Sequence, residues 1–388
     1  MSTAVPSLVR RWVIPSSAAL AVIAGGVAIG LVTDAADRSL APRSAQELLA
    51  DLLTAHPEGL QGTATVRVDL GLPPLPIPSA GTADLGSLLA GAHTVRVWYA
   101  APDQARIALL GREGESDVIL NGTDLWLWSS KENTAAHSTL PDDEGVLDLL
   151  GQGGIAAVLG GIAGGGAPMP TAGAAGIDPT TIATLALTFL QGSTDVETTN
   201  DATVAGRAAY ELVLRPRDPQ SLIDSVVLAI DAQEKFPLRF AVNARGGGAP
   251  AIEIAFTEVS FGRPDASQFA FNPPPGATVK EEDSPRADHP GAAPPATPDE
   301  VAPGAPDHAI VGSGWTSVLV VAMPDDLGDA QQLLGLLPTV SGDWGSGRLL
   351  STRLVSALLT DDGRLLLGAV SAERLYAAAA DPAAKLGG

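Results

Sequence analysis

Four separate stretches of this chain alternate apolar and polar residues with a period of two, and that rhythm sets the fold class. In "TATVRVDL" the set Ala64, Val66, Val68, Leu70 alternates with Thr63, Thr65, Arg67, Asp69. "YELVLRP", "PLRFAVNA" and "AIEIAFTEV" repeat the pattern with Tyr210/Leu212/Leu214, Leu238/Phe240/Val242 and Ile252/Ile254/Phe256. Successive side chains of a strand point to opposite faces, so such a set predicts antiparallel strands with one dry and one wet face. Further strands are expected at 94–100, 106–110 and 225–231. Eight to ten strands between Leu60 and Phe261 suffice for a large curved sheet.

One stretch breaks the rule. In "DVILNGTDLWLW" the Asn121-Gly122 pair predicts a two-residue hairpin, since both residues tolerate positive φ. The return strand is apolar on both faces: Leu125 and Leu127 on one, Trp126 and Trp128 on the other. Either one pair lines a cavity while the other meets a second element, or all four are ordinary core.

Around these strands the rest of the chain divides clearly. Arg10 and Arg11 precede an uncharged apolar span, residues 12–32. About 20 apolar residues span a bilayer, and the arginines place the N-terminal side in the cytoplasm. The span reads as a signal anchor, or as a signal peptide cleaved beyond it, with everything after Asp34 outside. "SAQELLADLLTAH" is an amphipathic helix with a Ser44/Glu47 capping box and a Leu48/Leu49/Leu52/Leu53 stripe. Residues 71–93 form a Pro-rich insert. Residues 145–176 are apolar yet crowded with glycine, which costs about 0.5–1 kcal/mol per helical position. "DPTTIATLALTFL" reads as a helix starting at Asp178-Pro179. Residues 273–306 carry ten prolines and read as an extended linker. Residues 308–388 read as a small module of order β-α-β-β-α that folds by itself, with a hairpin at Thr360–Gly363 and a closing helix capped by Ser371.

The charge and composition exclude several functions. Lys+Arg 23 against Asp+Glu 44 gives a formal charge of -21, the wrong sign for nucleic acid. There is no cysteine, so disulfides, thiolate metal sites and a cysteine nucleophile are excluded. The five histidines, His56, His93, His137, His289 and His308, show no metal-ligand spacing, and no metal or cofactor is expected. "SGDWGSGR" departs from a phosphate loop at Arg348 and Leu349, where that motif needs lysine and a hydroxyl. No nucleophile elbow or dinucleotide fingerprint is present, so the chain is expected not to be an enzyme.

"VRVWYAAPDQARIALL", "NGTDLWLW", "AGRAAYELVLRPRD", "VLAIDAQEKFPLRFAV" and "FAFNPPPGATV", in that order, resemble the LolA/RseB-like superfamily of extracytoplasmic lipoprotein carriers and envelope-stress regulators. The resemblance covers residues 44–280. "LVSALLTDDGRLLLGAVSAERLYAAAA" is similar to the end of the small C-terminal domain of RseB-like members. The resemblance implies an α+β fold, mainly β: a half-open antiparallel β-barrel covered by helices, with an apolar cavity for acyl chains. Its expected organisation is a cytoplasmic N-terminus (1–11), a membrane span (12–32), a lipid-binding domain (44–280), a linker (281–307) and a small α/β domain (308–388).

On that resemblance the cavity candidates are Val66, Val68, Trp98, Leu125, Trp126, Leu127, Trp128, Leu212, Phe240 and Ile254. The lid candidates in the glycine-rich insert are Val146, Leu149, Leu150, Ile155, Val158, Leu159 and Ile162. Trp344 and Arg348 suggest a protein-contact pair in a Gly-rich loop, or else a buried structural tryptophan. Two functions follow as expectations: a carrier or sensor of lipid or lipoprotein acyl chains, or a regulatory module for a membrane partner such as an anti-sigma factor or ABC transporter permease. A tethered chain departs from a free carrier, and the glycine-rich insert departs from the family's lid.

Overall fold

A computed structural model describes residues 39–72, 91–111, 114–140, 192–281, 308–323, 334–381 and 384. The apolar span at 12–32, the lid candidates at 146–162, the helix expected at 178–190 and all but the last four residues of the helix expected at 325–337 lie outside them. No helix among the described residues is long and apolar enough to cross a membrane.

Helix α1 (Ala45–Thr54) starts as its sequence requires. The Ser44 hydroxyl accepts from the Glu47 N–H while the Glu47 carboxylate accepts from the Ser44 N–H at 2.7 Å. Two orphan donors are thereby satisfied. Eleven strands follow up to Phe261: β1 (Gly59–Val68), β2 (Gly91–Ala100), β3 (Gln104–Leu110), β4 (Glu115–Asn121), β5 (Asp124–Ser129), β6 (Thr134–Thr139), β7 (Thr194–Val204), β8 (Arg207–Pro216), β9 (Ile223–Asp231), β10 (Pro237–Ala244) and β11 (Ile252–Phe261). With β12 (Thr278–Glu281) they form one sheet in the order β12-β6-β5-β4-β3-β2-β1-β11-β10-β9-β8-β7. The edges, β12 and β7, do not pair, so the sheet stays open. It is nevertheless curled, because β7 comes against β11 across three intervening positions.

Directly opposed residues share a face, so the register sorts the whole sheet. The ladder Leu127–Val118–Ile107–Val97 crosses β5 to β2, and Val66–Ile254–Phe240–Leu228–Leu212 crosses β1 to β8 on the same face. This interior face carries the expected apolar sets. The outer face carries Arg67, Glu253, Arg239 and Glu211, linked in a cross-strand chain of ion pairs at 2.9–3.4 Å.

The second module has six strands, not the three expected: β13 (His308–Val311), β14 (Val318–Ala322), β15 (Thr339–Gly342), β16 (Gly345–Ser351), β17 (Ser356–Thr360) and β18 (Arg364–Gly368), ordered β13-β14-β18-β17-β16-β15. Helix α2 (Ala372–Ala380) packs on β17 and β18. "STRLVSALL" is not one strand. Thr352 breaks it, its hydroxyl donating to the Val355 carbonyl at 2.8 Å and accepting from the Val355 N–H at 2.9 Å, a local turn that competes with the ladder. "SGDWGSGR" is the β15–β16 hairpin. Its glycines serve the sheet: a Cβ on Gly347 would lie 2.3 Å from the Leu359 carbonyl oxygen.

The two modules are joined by a shared core. Trp315 and Leu354 belong to the same apolar cluster as Leu48, Leu49, Leu212 and Val242. The Trp315 indole N–H donates to Thr194 Oγ1 at 2.7 Å in the buried interface. Arg353 donates to Asp69 Oδ2 and to the Ala249 carbonyl, both at 2.7 Å, and its own N–H donates to Leu70 at 2.7 Å. The Leu222 N–H donates to Ala369 at 2.8 Å beside a Ser221–Val370 bridge. Apolar surface and buried donors thus tie the described part of the second module to the large sheet. Replacing Thr194 by valine keeps the volume but leaves the Trp315 N–H without its acceptor. A destabilisation of about 1–3 kcal/mol is expected, measurable by urea unfolding.

Candidate functional site

The interior face divides into two apolar clusters. Over β8 to β10 it is covered by α1: Leu48 and Leu49 pack with Tyr210, Leu212, Leu214, Val226 and Val242. The other cluster includes Val66, Val95, Val97, Leu109, Leu120, Ile254 and Phe256 from β11 through β1 to β4, with Val68, Ile107, Leu125 and Phe240 against it, and takes in Val204, Ala209, Ala229 and Leu238 of β7 to β10. No residue of either described helix belongs to this second cluster. Leu127 continues its ladder outward and is 42% exposed.

Seven of the ten cavity candidates thus share the interior face: Val66, Val68, Leu125, Leu127, Leu212, Phe240 and Ile254. Leu212 lies in the cluster that α1 covers, and Phe240 touches both clusters. The other three are placed on the outer face. The row Trp98–Arg106–Ile119–Trp126–His137 crosses β2 to β6 there, and Trp128 sits one pleat along, opposite Asp117.

The chain's own return path covers that row. After β11 the backbone crosses the outer face. Arg263 donates to the Ala101 carbonyl at 2.9 Å, Phe269 is fully buried, and Phe271 packs on Trp126 and Trp128 with ring centroids 5.3 and 5.7 Å apart. The tryptophans are therefore apolar on the outside because residues 262–277 need an apolar bed. Phe269 and Phe271, alternating inside a Pro- and Gly-rich stretch, are the signal that points to it. The Asn-Gly reading needs a small correction. Asn121 pairs with Asp124, the loop is Gly122-Thr123, and the positive φ (65°) falls on Gly122, the glycine placement of a type II′ turn.

Beneath the same strap lies a buried ion pair. Arg106 donates to Asp117 Oδ2 at 2.7 Å, with Glu115 3.6 Å away, and lies over the Trp98 ring at 5.4 Å. Asp117 is 4% exposed, and its second oxygen has no protein partner. Burial pushes its carboxyl up to about 6, against the pull of Arg106. At the sheet edge His137 stacks on Trp126 at 4.2 Å, with Nδ1 2.8 Å from Glu281 and Nε2 3.0 Å from Asp124. Among the described residues no cluster could hold a metal ion. Trp344 stacks on Tyr376 at 5.5 Å and joins the third core cluster. Arg348 donates to the carbonyls of Gly335 and Leu337 at 3.2 and 3.3 Å. Both expected contact residues thus have partners within the chain, and Trp344 is half-buried.

No protein-family model matches the chain, and no curated protein matches it. Solved structures do. The complex of MucA with MucB from Pseudomonas aeruginosa matches at TM-score 0.41 and 16% identity, over 86% of this chain and 96% of that one. An uncharacterised conserved protein from Thermus thermophilus matches at 0.33 and 14%, over 62% and 100%. A LolA superfamily protein from Nitrosomonas europaea matches at 0.20 and 10%, over 59% and 99%. The solved structures it is similar to include MucB and LolA-superfamily proteins. At these identities and scores they add no weight to any reading of the site.

The buried carboxyl gives a pH test. A raised Asp117 binds its proton more tightly when folded, so its contribution favours the fold below the ordinary value of 3.8 and is lost as pH rises through about 6. Asp117→Asn should flatten the stability profile between pH 4 and 6, read as the thermal midpoint across that range.

Proposed function

We propose that this is an extracytoplasmic, membrane-anchored protein that holds an acyl chain, from a lipid or a lipoprotein tail, against the interior face of its open sheet. One observation carries the reading: from β11 to β5 the interior positions are apolar at successive strands, His93 and Ser116 excepted, and the ladder ends in an exposed leucine. An apolar ladder that runs on to an exposed side chain offers a slot where methylene groups can replace water at about 0.8 kcal/mol each. The resemblance to the LolA/RseB-like superfamily supports the same reading. The function is binding, with no catalytic step, cofactor or nucleic acid assigned.

A second reading has its own support. The small domain is clasped to the large sheet by Trp315, Arg353 and the Leu222–Ala369 bond. Two domains clasped in this way suit a regulatory module that grips a membrane partner, such as an anti-sigma factor or transporter permease.

Binding of a fluorescent long-chain fatty acid to the chain separates the two. Leu127→Asp should weaken it at least tenfold, since the acid puts a charge on the apolar ladder while its exposure spares the fold. Absence of saturable binding by the unaltered protein would leave the regulatory reading. The topology has its own check: a reporter fused after Gly388 should be active outside the cytoplasm, because Arg10 and Arg11 precede the apolar span.

A further inference from the structure

We propose that His137 is a proton-dependent latch that fastens β12, and with it the start of the connection to the second domain, onto the edge of the large sheet. β12 is a weakly held element. It is four residues long, all of its side chains are exposed, and its pairing with β6 is the one parallel pairing among the described strands. Its polar ties are few. The Thr278 N–H donates to Asn133 at 2.9 Å, the Asn133 amide donates to the Gly276 carbonyl at 2.8 Å, and Glu281 meets His137. Glu281 is the last described residue before 282–307, so the latch acts where the chain leaves the sheet.

The geometry demands the imidazolium. Glu281 faces Nδ1 and Asp124 faces Nε2, and an ionised carboxylate only accepts. Neutral histidine has one N–H, so it can serve one carboxylate and must turn a lone pair toward the other. Protonated histidine serves both. Burial works against the charge, yet the two carboxylates outweigh it and hold the His137 pKa above its ordinary 6.5. The latch is therefore fully closed below about 6.5 and opens as pH rises through the raised value. The carboxylates are largely exposed, so each bond is weak. A four-residue edge strand is marginal enough for a weak tie to matter. Of the other charged groups on this face, Arg106 pairs with Asp117 and Glu115, Arg96 lies over the Trp98 ring at 5.4 Å, and Arg67, Glu253, Arg239 and Glu211 pair among themselves on β1 and β8 to β11. Lys280 shares the register position of Ala136, on the interior side. Asp117, pushed up to about 6, also changes protonation between pH 6 and 7, so Asp117→Asn is the control that separates its titration from that of His137.

Release would bare the edge of β6 and loosen the covering of Trp126 and Trp128. Hydrogen exchange of the full chain, corrected for intrinsic rates, tests this at pH 6 and pH 8.5. Protection of the Thr278–Glu281 amides should fall about two- to five-fold at the higher pH, while β1 and β2 keep theirs. His137→Gln and Glu281→Gln should each give low protection that no longer depends on pH. Asp117→Asn should leave the response of β12 intact. Equal protection of β12 at both pH values in the unaltered protein would overturn the latch. So would an unchanged pH response in Glu281→Gln, which removes a surface charge and spares the fold.

Discussion

Everything in the large domain depends on the register of β1 between β2 and β11. Val66 opposes His93 on one side and Ile254 on the other, and Arg67 opposes Ala92 and Glu253. A slip of one residue would exchange the two faces along the whole strand. It would send Val66 and Val68 to water and bury Arg67 against an apolar cluster. The register is thus held by two unlike forces: burial of the valines inside and the Arg67–Glu253 pairing outside. A single β-bulge between Thr63 and Ala64 restores the pattern at the strand start. It lets Leu60 and Phe256 stay inside, where the Phe256 ring fills the space a side chain at Gly62 would need.

The same face explains how two modules joined by a proline-rich connection come to share a core. Cluster formation around Leu212 and Val242 needs a lid at the β7 end. Helix α1 supplies one side of it and Trp315 with Leu354 the other. Trp315 is a large apolar body with one donor, and it is placed where Thr194 can accept, as a buried tryptophan requires. Arg353 adds charge-assisted bonds at the rim, reaching Asp69 after β1 and Ala249 before β11. Those two residues lie far apart in sequence and adjacent in the sheet, so the small domain fixes the β1–β11 end of the large one.

Much of this is legible in the sequence, and the parts that are not share a cause. Alternation exposes β1, β8, β10 and β11, and Ser44 with Glu47 marks the start of α1. "TAAHST" and "TDVETTNDATV" give no sign of β6 and β7, because edge or near-edge strands bury little and need no apolar face. β12 is hidden in proline-rich sequence, where composition argues for linker. The doubly apolar strand stands out as odd, but its explanation lies about 140 residues onward, in Phe269 and Phe271. No local pattern links the two. Cluster membership of Trp315 is equally invisible, since an isolated tryptophan before a strand looks like part of that strand.

The strap over Trp126 and Trp128 also bears on the interior face. β5 is sandwiched: Phe271 and the His137 ring lie on its outer side, and Leu125 and Leu127 on its inner side. A strand backed in this way stays in register even where, among the described residues, its inner face is only partly covered. That matters for a binding face. An exposed leucine on an unsupported edge hairpin would invite pairing with another chain. Here the aromatic packing outside and the pairing of β5 with both β4 and β6 hold the hairpin in place, so Leu127 can stay exposed without the strand becoming an aggregation site. The apolar outer face is thus the physical condition for keeping the inner face accessible.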